Sequence, residues 1–272
     1  MLRETWALTA RELKHWYRVK IQIFMTLIQP IVWLGLFGQA FNIGALLPPQ
    51  TVPMFFSGAP DYFSFMAIGM LAVNALFTCM FSGMSIVWDR RFGFLNKLKV
   101  APIPRGVVPI SRILATVVRS TIQVSIVLAI ALAFQYIPGL TGLTLKEGFG
   151  IVDLAGMFAV LFLLSTAFAS LFTTIALAVE NQETLFGVIN LLNLPLMFAS
   201  AALFPTAMMP DWLRAVADYN PLTWAADAMR QFAFIDTIPI HSLAFDVLGL
   251  LAVAILLMGA SVVVSRKLLS NR

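Results

Sequence analysis

Charge is what this 272-residue sequence has least of: Asp, Glu, Lys and Arg make up only 11% of it, against about 25% in soluble domains. Apolar residues reach 60%, and a globule of this size cannot hide that much apolar material. A soluble enzyme and a disordered chain are both excluded. Cysteine is rarer still. Cys79 stands alone, so there is no intrachain disulfide framework. No Gly-x-x-x-x-Gly-Lys-Ser/Thr loop is present to cradle nucleotide phosphates. The only histidines, His15 and His241, are far apart and show no metal-ligand spacing, so no metal site is expected. No Gly-x-Ser-x-Gly or Ser/His/Asp pattern marks a hydrolase. Catalysis must come from another chain, and the excess apolar surface must face lipid.

What the chain does have is long apolar runs. A helix crossing the ~30 Å hydrocarbon core needs about 20 mostly apolar residues. Six stretches qualify: Ile21–Phe41, Tyr62–Val87, Ala115–Ile137, Ile151–Val179, Thr184–Phe204 and Leu243–Ser265. They lack the alternation of a membrane barrel, so the chain reads as one all-α membrane domain, 1–272, with six transmembrane helices. A cleaved signal peptide ending near Gly38-Gln39-Ala40 is the competing reading of the start. Its charged leader and apolar run are too long for one.

Fifteen of the eighteen basic residues lie on one side of these spans. Arg3, Arg11, Lys14, Arg18 and Lys20 precede the first, and Arg266, Lys267 and Arg272 follow the last. Arg90, Arg91, Lys97, Lys99, Arg105 and Arg112 join the second to the third, and Arg119 lies just inside the third, where it can snorkel. The other side holds Lys146, Arg214 and Arg230. The positive-inside rule puts both termini in the cytoplasm of a multi-pass protein of the cell membrane. The net charge of +5 therefore reports topology, with no nucleic-acid partner.

Three segments are not spans. Residues 2–20 carry Trp6, Leu13, Trp16 and Tyr17 at roughly helical spacing among charges, which suits a helix in the headgroup region. A short solvated leader is the alternative. In 88–105, Phe94, Leu95 and Leu98 share a face of a short helix that Pro102 and Pro104 end. An isolated two-turn helix is marginal in water, so that face needs a partner. Residues 205–242 are broken by Pro205, Pro210, Pro221 and Pro239 and carry Trp212, Tyr219, Trp224 and Phe232. These pieces read as dipping partway into the membrane and packing on spans five and six. A plain external loop is the alternative.

Charges are missing from the midplane, which argues against a proton- or sodium-coupled carrier. Uncharged polar residues do occur there. Asn74 and Thr78 lie one turn apart beside Phe77 and Phe81; Asn190 and Asn193 precede Pro195 and Met197. A soft Met and Phe surface with a few amides suits an amphipathic ligand. Such amides are also common interhelical glue, and both readings stand. Thr166, Ser170 and Thr174 form a packing stripe.

The last third is the most specific. Asn193-Leu-Pro-Leu-Met-Phe-Ala-Ser-Ala-Ala-Leu-Phe-Pro205 is followed by Met209-Pro-Asp-Trp-Leu-Arg214, then by Asn220-Pro-Leu-Thr-Trp-Ala-Ala-Asp-Ala-Met-Arg230. With Arg91-Phe-Gly-Phe-Leu-Asn-Lys-Leu98, Ala101-Pro102 and Arg105, this order resembles the permease subunit of the ABC-2 family of ATP-binding-cassette exporters. It is close to drug-resistance permeases of the daunorubicin type. Asn96 stands where the family commonly has Glu, and Trp224 where it has Tyr, His, Ser or Arg.

The resemblance implies a type V exporter-like fold. Residues 2–20 become an interfacial connecting helix and 88–105 a coupling helix. An external re-entrant hairpin over 205–242 would carry the signature residues Pro205, Pro210, Trp212, Asn220, Pro221 and Arg230. Arg90, Arg91, Phe94, Leu95, Asn96, Lys97 and Leu98 would meet a separate cytoplasmic ABC ATPase subunit, on which ATP and Mg²⁺ sit, this chain binding no cofactor. A second permease copy, identical or not, would complete the unit. Asn74, Phe77, Thr78, Phe81, Asn190, Asn193 and Met197 would line the path of a hydrophobic or amphipathic substrate leaving the cytoplasm. Other classes are a channel or ion-coupled secondary transporter, which needs a polar pore lining, and a non-transporting membrane scaffold.

Overall fold

Thirty residues, Tyr62–Arg91, form one helix with apolar side chains all round. A helix of that kind must be enclosed. Of its most apolar stretch 94% is buried, against 17% for the last helix of the chain. The computed structural model describes residues 2–40, 51–93, 104–179, 181–235 and 237–270, and among these every regular element is a helix.

In chain order these are α1 (Leu2–Arg18), α2 (Lys20–Val32), α3 (Val52–Phe55), α4 (Tyr62–Arg91), α5 (Val107–Ala133), α6 (Ile151–Ala178), α7 (Gln182–Phe198), α8 (Asp211–Asp218), α9 (Pro221–Ala233) and α10 (Leu243–Ser270). α2 runs on through a π-helical turn, Trp33–Phe37, into Gly38–Ala40. α5 ends in a 3₁₀ turn, Phe134–Tyr136.

α4 is the hub. α5, α6 and α9 pack on it; α10 lies along α6 and α9, α1 lies along α5, and α2 touches both α4 and α5. Gly69 lets α4 meet the irregular chain after α7 as well. A Cβ there would fall 1.7 Å from the carbonyl oxygen of Ala202, so only glycine lets α4 meet that backbone. Gly249 does the same for the Trp224 ring, 3.0 Å from where its Cβ would stand. Leu248, Leu251, Ile255 and Leu256 on α10 and Ile21, Phe24 and Ile28 on α2 are exposed, as apolar side chains facing hydrocarbon would be.

Among the described residues, four helices are long and apolar enough to cross a membrane: Tyr62–Arg91, Val107–Tyr136, Ile151–Ala178 and Leu243–Lys267. The other two expected spans are built differently. Pro30 lies inside the first, where α2 passes directly into the π turn. Pro195 lies in α7, a helix of 17 residues followed by irregular chain from Ala199. Two boundaries also move. The helix expected over 62–87 continues to Arg91, and the one expected from Ala115 begins at Val107. Asp89, Arg90 and Arg112 read as loop charges in the sequence but stay helical, because each finds a buried partner, described next. Phe94, Leu95, Asn96, Lys97 and Leu98 lie outside the described residues.

Candidate functional site

Where α4 ends, α1 and the first turns of α5 meet it through charge. The Glu12 carboxylate is buried. It accepts from Arg112 at 3.0 Å, from Arg119 at 3.3 Å and from Arg11 at 2.8 Å. Asp89 pairs with Arg112, and with Arg11 at 3.3 Å. Arg112 and Arg119 are two turns apart on one face of α5, and α1 delivers Glu12 between them. Buried ions persist only when paired and hydrogen-bonded. Here two carboxylates meet three guanidinium groups and lock three helices together. Thr9 adds a hydroxyl donor to the Ser111 carbonyl at 3.2 Å.

This corrects one expectation. Arg119 does not snorkel; it is buried because α1 supplies an internal counter-ion. Within 2–20 the chain forms α1, with Trp16 buried and Trp6 and Tyr17 exposed. Nothing near Glu12 in the sequence marks it for this role, although Thr9, Glu12 and Trp16 fall on one helical face.

Arg90, expected among the residues facing the ATPase, is half-buried and bonded to the end of α6. Its guanidinium donates at 2.7 Å to the carbonyls of both Leu177 and Val179, the unsatisfied acceptors at the end of α6. Arg91 stays exposed. Both line a surface groove of about 720 Å³ with Val87, Asn181, Gln182, Glu183 and Phe186.

The mid-bundle polar residues separate into two kinds. Asn74 donates to the Thr26 carbonyl at 3.5 Å, and Thr78 donates to the Asn74 carbonyl at 2.9 Å and also bonds Gln123. Gln123 in turn reaches the Thr26 hydroxyl. That chain links α2, α4 and α5. Phe77 is buried and Phe81 half-buried beside it; on α7, Asn190 is exposed while Asn193 and Met197 are buried. The hydroxyls of Thr166, Ser170 and Thr174 each donate to the carbonyl four residues back in α6.

At the other end of α4, side chains of α9 service a break in the chain. After α7 the backbone turns irregularly through 199–205, and its polar groups are buried. Asn220 caps α9 by accepting from the Leu222 N–H at 2.9 Å, while its amide donates to the carbonyls of Leu196 at 2.9 Å and Ala199 at 2.6 Å. Pro221 follows at the first helical position, where its missing N–H costs nothing. The Thr223 hydroxyl accepts from the Ala201 N–H at 2.9 Å. Arg230, fully buried, donates to Ala201 at 2.8 Å, Ala202 at 2.9 Å and Phe65 at 3.0 Å, all carbonyls. The small residues of the Ala199–Ala202 patch let these groups approach.

Pro205 and Pro210 precede the short turn Thr206–Met208 and α8. Trp212 is exposed on α8, whereas Trp224 is buried, donates to the Asp218 carbonyl at 2.8 Å and meets Phe245 edge-on. Asp61 caps α4 by accepting from the Ser64 N–H at 2.7 Å. Burial holds its carboxyl above the ordinary carboxylate range, against the pull of the Ser64 and Phe63 N–H groups.

Comparison with known proteins gives one consistent result. Residues 3–234 match the ABC-2 type transporter family. A putative transport permease of Cyanophora paradoxa is 31% identical over 233 residues, covering 84% of this chain and 73% of that protein. The probable doxorubicin resistance ABC transporter permease protein DrrC of Mycobacterium tuberculosis is 28% identical, over 83% of this chain and 75% of that one. The daunorubicin resistance ABC transporter permease protein DrrB1 of Streptomyces coeruleorubidus is 21% identical, over 78% and 68%. The polar knot built by Asn220, Thr223 and Arg230 falls inside the matched region, as do α1 and its ion cluster. This chain belongs to the ABC-2 type transporter family.

Proposed function

We propose that the chain is the permease subunit of an exporter that carries a hydrophobic or amphipathic substrate out of the cytoplasm, driven by ATP hydrolysed on a separate subunit. In this reading Lys20–Ala40 and α7 with its irregular continuation complete six spans. The continuous helical run Lys20–Ala40 would reach about 31 Å at 1.5 Å per residue. Residues 205–242 re-enter from outside, and both termini face the cytoplasm, as the lysine and arginine distribution favours. A second permease copy completes the assembly.

One observation carries the coupling half of the proposal. The last turn of α4 touches everything a push at that end must move. Asp89 holds Arg112 of α5 and Arg11 of α1, and Arg90 holds the end of α6. Force applied just beyond Gly93, on the segment containing Phe94, Lys97 and Leu98, would therefore reach four helices at once. ATP can bias the two states only through its differential affinity for them.

The substrate half rests on the uncharged polar residues of the mid-bundle and on the relatives named for doxorubicin and daunorubicin resistance. Asn74 and Thr78 serve best as helix ties. Phe77, Phe81, Asn190, Asn193 and Met197 remain as the path.

The test is reconstitution in lipid vesicles with and without a candidate partner ABC ATPase, following a lipophilic anthracycline by fluorescence. Transport should require ATP and both chains. Movement that runs on an ion gradient without the ATPase would sink the proposal.

A further inference from the structure

From the geometry of Asp227, His241 and Asp246 we infer a divalent metal site, with Zn²⁺ the best-fitting ion, that ties α9 to the first turn of α10. The three residues come from α9, from the link after it and from α10. One ligand atom of each lies within 4.8 Å of the other two. In sequence they show no recognisable ligand spacing, and the fold alone brings them together.

Both carboxylates are almost wholly buried, Asp227 at 1% exposure and Asp246 at 0%. Each has one oxygen served and one left over. Asp227 Oδ2 accepts from the N–H groups of Ile240 at 2.9 Å and His241 at 3.0 Å, and from Gln231 Nε2 at 3.4 Å. Asp246 Oδ2 accepts from the same Gln231 amide at 3.3 Å. Asp227 Oδ1, Asp246 Oδ1 and His241 Nδ1 are buried without any hydrogen-bond partner. Buried ligand atoms without a hydrogen bond, on three residues that approach one another within 4.8 Å, are what a metal ion uses. The bonds to the second oxygens are the orienting contacts such ligands normally have.

Protons are the competing occupants of the site. His241 Nδ1 stands 3.5 Å from Asp246 Oδ1, so a protonated imidazole could pair with that carboxylate. Asp227 Oδ1 would then be served only if a second proton were shared between the two carboxyls. Arg230, one turn on from Asp227, spends its hydrogen bonds on the carbonyls of Phe65, Ala201 and Ala202. A divalent ion meets all three atoms together and balances the two carboxylates. One imidazole and two carboxylates suit Zn²⁺ better than an ion preferring oxygen alone. Ligands about 2.0–2.2 Å from zinc stand roughly 3.3 Å apart, so small side-chain movements close the site. His241 is stacked on Phe245, ring centres 4.6 Å apart. Its side chain is 22% exposed, which gives the ion a way in and leaves room for a water as further ligand.

The experiment uses the purified full chain in detergent, stripped with chelator and then equilibrated with Zn²⁺ before removal of free ion. Elemental analysis should find roughly one zinc per chain, and the melting midpoint should rise with Zn²⁺ and fall back with EDTA. His241→Gln and Asp246→Asn should lose both effects, while Asp211→Asn, an exposed acid on α8, should keep them. His241 is the outermost of the three, so its variant stays informative should Asp246→Asn fail to fold. Zinc retained in full by His241→Gln would overturn the assignment. So would a melting midpoint that ignores Zn²⁺ and EDTA and follows only pH, which would make this a proton-sharing cluster.

Discussion

Arg230 lies over the ring of Phe65, 3.6 Å from its centroid, and donates to the Phe65 carbonyl oxygen as well. Ring and carbonyl belong to α4, while the other two acceptors, Ala201 and Ala202, belong to the break after α7. One planar side chain thus joins the hub helix to irregular backbone at its end. Only guanidinium can lie flat on an aromatic face while donating at several points of its edge.

Arg230→Lys is therefore not conservative. An ammonium keeps the charge but cannot reach three carbonyls in two directions, and buried acceptors left unserved cost about 1–3 kcal/mol each. The variant should lose on the order of 3 kcal/mol of stability. Thermal unfolding in detergent, read by tryptophan fluorescence, checks it. A midpoint unchanged from the parent would show that these bonds contribute little.

The contact between α4 and the Ala199–Ala202 patch predicts a contrast between two glycines. Gly69→Ala places a methyl group 1.7 Å from the Ala202 oxygen, whereas a Cβ on Gly187 meets nothing within 4 Å. The first substitution must push two backbones apart and should sharply lower the yield of folded protein. Gly187→Ala should be neutral or stabilising by up to about 1 kcal/mol, the helix-propensity gain. Monodispersity by size-exclusion chromatography separates them, and equal behaviour would contradict the close approach.

At the opposite end of α4, the ion cluster predicts unequal arginines. Arg112 is 5% exposed and bridges both carboxylates, while Arg11 is 42% exposed at the rim. Arg112→Met leaves buried anions short of a partner and should cost about 3–5 kcal/mol. Arg11 reaches the same two carboxylates, but its half-exposed guanidinium is screened by water, so Arg11→Met should cost only about 1 kcal/mol. High salt should shrink the Arg11 effect and leave the Arg112 effect nearly intact. Equal losses at low salt would mean that burial does not govern the cluster.

How far these features could be read from the sequence depends on the range of the interaction. Apolar runs are local, so α4, α5, α6 and α10 are visible as candidate spans. The Asn220-Pro221 cap is local too. Arg230 is conspicuous as an isolated cation among alanines, but its acceptors lie in two distant segments. Arg119 reads as a snorkelling end residue because its counter-ion, Glu12, is 107 positions away. Arg90 reads as an outward-facing charge, since nothing nearby in sequence announces that the end of α6 will come within reach. Ends of elements and buried charges are fixed by tertiary partners, and a single chain pattern does not carry those.

Arg90 gives the sharpest test of how motion travels. Its two 2.7 Å bonds to the end of α6 are the direct link between the last turn of α4 and that helix. Under the proposed coupling, Arg90→Met should leave the partner ATPase able to bind and hydrolyse ATP but lower the substrate moved per ATP. Phe94→Asp and Leu98→Asp act one step earlier: they should abolish the contact itself, so that substrate no longer stimulates hydrolysis. Arg91→Met, which removes an exposed cation beside Arg90, controls for charge alone. The ratio of transport to hydrolysis in reconstituted vesicles distinguishes the three classes. If Arg90→Met keeps the parent ratio, α6 is not driven through this link, and the push must enter through Asp89 and Arg112 instead.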